Sequence, residues 1–136
     1  MIQVGYRTCL LSLVLAFAPR LAFGEVHRVP AHYPTIQAAI VAAAAGDEIL
    51  VGPGTYDENL DTQGKGLWLR SEAGPEMTIV DGGKRGRILL CGGGDVIEGF
   101  TLQAGYHPDV GGAIYSFGPT AQLTIRNNII RNNSVG

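Results

Sequence analysis

Ile97-Glu98-Gly99-Phe100-Thr101-Leu102 is followed 28 residues later by Ile125-Arg126-Asn127-Asn128-Ile129-Ile130. Both segments run from an apolar residue through a charged one to Gly or Asn, then bend into a second apolar pair. The pairs Gly82-Gly83 and Gly111-Gly112 recur at a spacing of 29. A unit of about 20 to 30 residues that cannot bury its own apolar face must stack on copies of itself, and stacking makes a solenoid. Asn127-Asn128 and Asn132-Asn133 suit its turns, because Asn tolerates a left-handed backbone and can form ladders between coils.

Upstream the same texture continues as far as Asp47. Short β-type runs are separated by Gly, Pro, Asn and Asp: Glu48–Val51, Leu67–Leu69, Met77–Val80, Arg87–Cys91, Asp95–Ile97, Phe100–Leu102, Ala113–Tyr115, Leu123–Ile125 and Ile129-Ile130. Breaks as short as Glu98-Gly99 are too tight for antiparallel hairpins with strands of normal length. They fit bends in a winding coil. One stretch has helical periodicity: Ile36, Ala39, Ile40 and Ala43 fall at i, i+3, i+4 and i+7, with Thr35 placed to cap the start and Gly46 at the end. A helix this short cannot be a core, so it is expected to lie over the end of the first coil.

Composition narrows the function classes. The 136 residues carry 10 Lys plus Arg against 12 Asp plus Glu, a net charge of −2, and 16% are charged. With no basic excess, a nucleic-acid partner is not expected. Gly, at 20 residues, is about twice its usual share of about 7%, in keeping with many short strands and tight turns. The first residues read as a secretory signal: Arg7 is basic, Cys9 to Ala18 is apolar, Pro19-Arg20 breaks the run, and Ala22-Phe23-Gly24 offers small residues for cleavage after Gly24. Residues 1–24 are thus expected to be removed, leaving residues 25–136 as the N-terminal portion of a solenoid domain that is secreted, periplasmic or on the cell surface. The apolar run is too short to span a membrane. Cys9 would leave with the signal, so Cys91 has no partner for a disulfide and is expected to be a small inward-facing residue.

Pro34-Thr35-Ile36-Gln37-Ala38-Ala39-Ile40, Ala45-Gly46-Asp47-Glu48-Ile49-Leu50-Val51 and Gly52-Pro53-Gly54-Thr55-Tyr56 resemble the opening of right-handed parallel β-helix proteins of the pectin lyase-like superfamily, secreted bacterial type. Val96–Leu102, Gly111–Tyr115 and Asn127–Ile130 resemble the coil repeats of its large surface members. The resemblance implies an all-β, right-handed parallel β-helix with an N-terminal capping α-helix, incomplete at the C-terminus because Gly136 follows an Asn-rich turn. Gly52–Tyr56 is then the turn leaving the first full strand. The family's methylesterases use Gln-Asp-Thr-Leu and Asp-Phe-Ile-Phe-Gly motifs, and neither occurs here. No catalytic residue carries over.

Among residues with chemistry, Asp81, Asp95, Glu98 and Asp109 with Lys84, Arg85 and Arg87 could meet on stacked coils as acid/base or calcium-binding groups. The alternative, which their Gly and Pro neighbours favour, is that Asp81, Asp95 and Asp109 are solvated turn residues. Tyr106, His107 and Asp109, in the longest insertion, are the carbohydrate-contact candidates. His27 and His32 lack ligands at metal-binding spacing and are expected on the surface; no metal ligands are assigned. No cofactor is identifiable, and Ca²⁺ enters only with an enzyme reading.

Three functions compete. The preferred one is an exported β-helix module with a structural, adhesive or glycan-binding role, partnered by polysaccharide or a cell-surface glycan and able to self-associate end to end. The alternative is the N-terminal part of a polysaccharide lyase, hydrolase or esterase whose catalytic coils lie elsewhere. A metal-maturation accessory, suggested by resemblance alone, is disfavoured by the lack of Met, His or Cys clusters in the sequence.

Overall fold

The computed structural model describes residues 24–118 and 122–136; of the expected signal segment 1–24, residues 1–23 lie outside the described residues. The chain enters through β1 (Val26–Val29) and α1 (Ile36–Ala42). It then coils through β2 (Glu48–Val51), β3 (Gly54–Asp57) and β4 (Leu60–Asp61), and next through β5 (Trp68–Ser71), β6 (Thr78–Asp81) and β7 (Leu89–Gly92). The following coil holds β8 (Val96–Glu98), β9 (Thr101–Gln103), β10 (Tyr106–His107) and β11 (Ile114–Phe117), and the last holds β12 (Thr124–Arg126), β13 (Ile129–Arg131) and β14 (Ser134–Val135). Every strand pairing is parallel, and the strands stack into sheets β1-β2-β5-β8-β12, β3-β6-β9-β13 and β4-β7-β11, with β10 on β14. The result is an all-β parallel solenoid of about four turns with one short helix.

The 28-residue repeat is one coil step. Ile97 stacks on Ile125 and Leu102 on Ile130, and Gly99 and Asn127 both take the left-handed bend between them. Asn128 and Asn133 then reach to the previous coil. Each side-chain amide accepts from one backbone N–H there (Phe100, Gly105) and donates to one carbonyl (Ile97, Leu102). The Asn ladder expected from sequence is therefore a brace from side chain to backbone. The Gly-Gly spacing of 29 is not a coil step. The β6-to-β9 step is 22 residues, Asp81 lying on Gln103, which brings Gly82 to Ala104 and Gly105. Glycine is needed there for closeness: a Cβ on Gly105 would stand 2.0 Å from the Gly112 carbonyl oxygen.

Most strands begin one residue later than the apolar runs in the sequence. Leu67, Ile88 and Phe100 are buried at the corners before β5, β7 and β9, so the apolar signal starts at the corner rather than in the ladder. Gly52–Tyr56 is not all turn: only Gly52 and Pro53 bend the chain, and Gly54–Asp57 is β3, because the ladder with β6 resumes at once. The core is a column of inward residues, among them Ile49, Leu69 and Ile97, with Val51, Val80, Leu89, Leu102 and Phe100, all essentially inaccessible. Cys91 lies within it, and burial, with Asp95 and Asp61 nearby, pushes its thiol up to about 12.

The helix buries Ile36, Ala39 and Ile40 against β1, β2 and β4. Thr35 Oγ1 accepts from Ala38 N at 3.1 Å, as the sequence predicts. Two charged side chains hold its ends. Glu58 accepts from the N–H groups of Ile36 and Gln37 (2.9 and 3.0 Å), and Lys65 Nζ donates to the carbonyls of Ile40, Val41 and Ala43 (2.8, 3.0 and 2.8 Å). Acid at the N-terminus and base at the C-terminus is the arrangement the helix dipole favours. At the opposite end of the stack, β11, β12, β13 and β14 are sheet edges, and Ile125, Ile129, Ile130 and Val135 are exposed.

Candidate functional site

Strand periodicity puts alternate residues of the longest sheet outside. One outward row comprises Arg28, Leu50, Arg70, Glu98 and Arg126, stacked in register, and the next places Trp68 between Glu48 and Val96. Arg70 Nε donates to Glu48 Oε1 at 2.6 Å and its guanidinium lies 4.9 Å from the Trp68 ring centroid. Glu98 accepts from Trp68 Nε1 (3.2 Å), Arg126 Nη2 (2.9 Å) and Asn127 Nδ2 (3.4 Å). The Arg126 contact is the main reason its carboxyl stays below the usual range; burial opposes, and Trp68 and Asn127 add to the lowering. Trp68, Arg70, Glu98, Arg126 and Asn127, with Ser71, Gly74, Pro75 and Gly99, line a cleft of about 270 Å³ along the bend of this face. It presents an indole platform, two guanidinium groups, a carboxamide and one carboxylate.

The candidates named from sequence do not converge. Asp81 lies on the outside of β6, half-buried, accepting from Gln103 Nε2 (2.9 Å) and Gly83 N (2.8 Å), which lower its pKa in that order. Arg85 pairs with Asp57, Arg87 stacks 4.4 Å over Tyr115, and Lys84 takes a left-handed turn position. Only Glu98 belongs to the cleft. Tyr106 and His107 form β10, and His107 Nδ1 accepts from the N–H groups of Asp109 (3.2 Å) and Val110 (3.4 Å), so the imidazole organises its own loop. None of Tyr106, His107 and Asp109 lines the cleft. Trp68, Arg70 and Arg126 were not singled out from sequence; the usable signal was their register, each 28 residues from its partner at 96, 98 and 98 respectively.

Two expectations are corrected. Asp95 is not a solvated turn residue: it is fully buried, with Oδ1 accepting from Leu67 N (2.8 Å) and Oδ2 from Gly92 N (3.0 Å) and Thr62 Oγ1 (2.5 Å). His27 is not on the surface, since it points inward from β1 with 4% exposure. His32 is exposed, as expected. His27 Nε2 lies 2.9 Å from Asp47 Oδ2, and Asp47 otherwise repeats the Asp95 pattern, taking Glu25 N on Oδ1 (2.9 Å) and Ala44 N on Oδ2 (2.8 Å). In both cases the carboxylate bonds the residue one coil back at the same corner and the N–H three residues back. The motif is legible as Gly46-Asp47-Glu48-Ile49 and Gly94-Asp95-Val96-Ile97, with both glycines left-handed. Burial would raise the Asp47 pKa, but the bonds from His27, Ala44 and Glu25 outweigh it and hold the carboxyl below its usual range.

Compared with protein-family models, curated proteins and solved structures, the chain matches none.

Proposed function

We propose that the chain is an exported, glycan-binding solenoid module and that its binding surface is the cleft around Trp68. The observation that carries this is a 37% exposed indole set among Arg70, Glu98, Arg126 and Asn127 on a rigid sheet face. An apolar ring stacks on the C–H face of a sugar while planar polar side chains bond its hydroxyls, and a preformed parallel ladder keeps the ordering cost low. The secretory segment read in residues 1–24 supplies the export route, and the opening motif supports a place among the right-handed pectin lyase-like β-helices. In this reading α1 is the N-terminal cap, supported by its contacts with β1, β2 and β4 and by the Glu58 and Lys65 clamps. The exposed isoleucines of the last coil support end-to-end association with a second copy.

An enzyme reading draws no support from the cleft, whose lining includes Glu98 as its one carboxylate, engaged by Trp68, Arg126 and Asn127 and without a second acid or base beside it. The test is electrophoresis through gels carrying polygalacturonate or a neutral β-glucan. Retardation by one of them, lost in Trp68→Ala with unchanged melting, is expected; equal mobility in every gel overturns the proposal.

A further inference from the structure

The two corner aspartates differ in what surrounds them. Asp95 finds its side-chain donor in a threonine hydroxyl, and its needs end there. Asp47 meets an imidazole instead, and the Glu25 carboxylate joins them: one ligand atom from each of Glu25, His27 and Asp47 lies within 4.8 Å of the others. The topology explains the meeting. Glu25 and Asp47 occupy the same corner on consecutive coils, and His27, two residues after Glu25, turns inward beside them.

We propose that Glu25, His27 and Asp47 form a binding site for a divalent transition metal ion of the Zn²⁺ class, independent of the glycan cleft. Nitrogen with two carboxylate oxygens is a donor set for Zn²⁺ and its neighbours, whereas an all-oxygen shell would suit Ca²⁺. Two of the three ligands are already placed. His27 Nε2 and Asp47 Oδ2 stand 2.9 Å apart, and opening by about 0.4 Å gives the edge of a tetrahedron about 2.0 Å from its centre to N or O, so the ion replaces the proton they share. Asp47 Oδ2 keeps its bond from Ala44 N on the remaining lone pair. The other imidazole nitrogen, Nδ1, lies 3.2 Å from Tyr33 Oη, the outer partner that fixes ring orientation in metal-binding histidines. Glu25 is exposed and has no side-chain hydrogen bond among the described residues, so it supplies both the third ligand and the entry side, leaving a fourth position to water.

Zn²⁺ titration of the full chain by calorimetry, with Co²⁺ as a spectroscopic substitute, tests this. One ion per chain and the visible absorption of four-coordinate Co²⁺ are expected. Glu25→Gln, a surface change that leaves the corner hydrogen bonds intact, should weaken binding by at least about tenfold, and Tyr33→Phe by about tenfold. His27→Asn should abolish it, while His32→Asn with His107→Asn should leave it unchanged. If His27→Asn does not fold, Glu25→Gln decides. No stoichiometric uptake, or uptake indifferent to Glu25→Gln, overturns the site. Trp68→Ala should leave Zn²⁺ binding unaltered, so failure of the glycan reading and failure of this one are told apart.

Discussion

Asp47 and Asp95 solve one problem at two depths. Each sits in a Gly-Asp-x-Ile corner, bonds the backbone one coil back and the N–H three residues back, and draws one side-chain donor onto Oδ2. At Asp95 the corner is closed: the residue is inaccessible and the donor is a small hydroxyl from β4's neighbour Thr62. At Asp47, beside the first strand, the corner opens toward exposed Glu25 and holds an ionisable ring. Where the corner is wholly inaccessible and its partner is a hydroxyl, the carboxylate serves the fold alone. At the first coil the same motif, still buried, borders the exposed carboxylate of Glu25.

The largest expected effect is at the closed corner. Asp95→Ala strands the N–H groups of Leu67 and Gly92 away from water, and two unsatisfied buried donors cost about 3 kcal/mol together. Urea unfolding with an unchanged slope should show that loss; a loss under about 1 kcal/mol would mean that water reaches the corner and that it is no more closed than the one at Asp47.

Asp47→Asn should cost less at neutral pH and should change the acid limb. The folded pKa of Asp47 is depressed, so the native state binds fewer protons than the unfolded chain just below the usual carboxylate value of about 4. Its contribution is therefore complete above that value and is lost as pH falls toward the folded pKa. Stability of the parent and of Asp47→Asn, measured with a chelator present, should converge on acidification below about pH 4. A gap independent of pH would show that the carboxylate's charge is not what the first corner uses.

The smallest expected effect is a reaction that does not occur. Cys91, under the closed corner, is inaccessible and its thiol is raised to about 12, so in native protein at pH 8 this cysteine, read apart from Cys9 by peptide mapping, should resist a thiol reagent and react only on unfolding. Asp95→Ala, by loosening the corner, should speed that reaction. Rapid labelling of the native parent would show that the core column opens locally.

The repeat at 97–102 and 125–130, the short runs, and the period of Ile36, Ala39 and Ile40 determined a coiled stack of parallel strands with one helix, because apolar spacing reports directly on which residues must leave water. Thr35 as an N-cap and Cys91 as an inward residue followed from the same local logic. The rest depended on which residues became neighbours across coils. Steps of 20 to 29 residues vary from coil to coil even within one sheet, since each turn is a loop of its own length, so a spacing such as that of the glycine pairs misleads until the ladders are known. For this reason Asp95 reads as a turn aspartate and His27 as a surface histidine in one dimension, whereas stacking buries both. Only the tertiary structure set Trp68 beside Glu98 and Arg70, or brought Glu25 and His27 to Asp47. Contacts between coils are fixed by register, and register is a property of the whole stack.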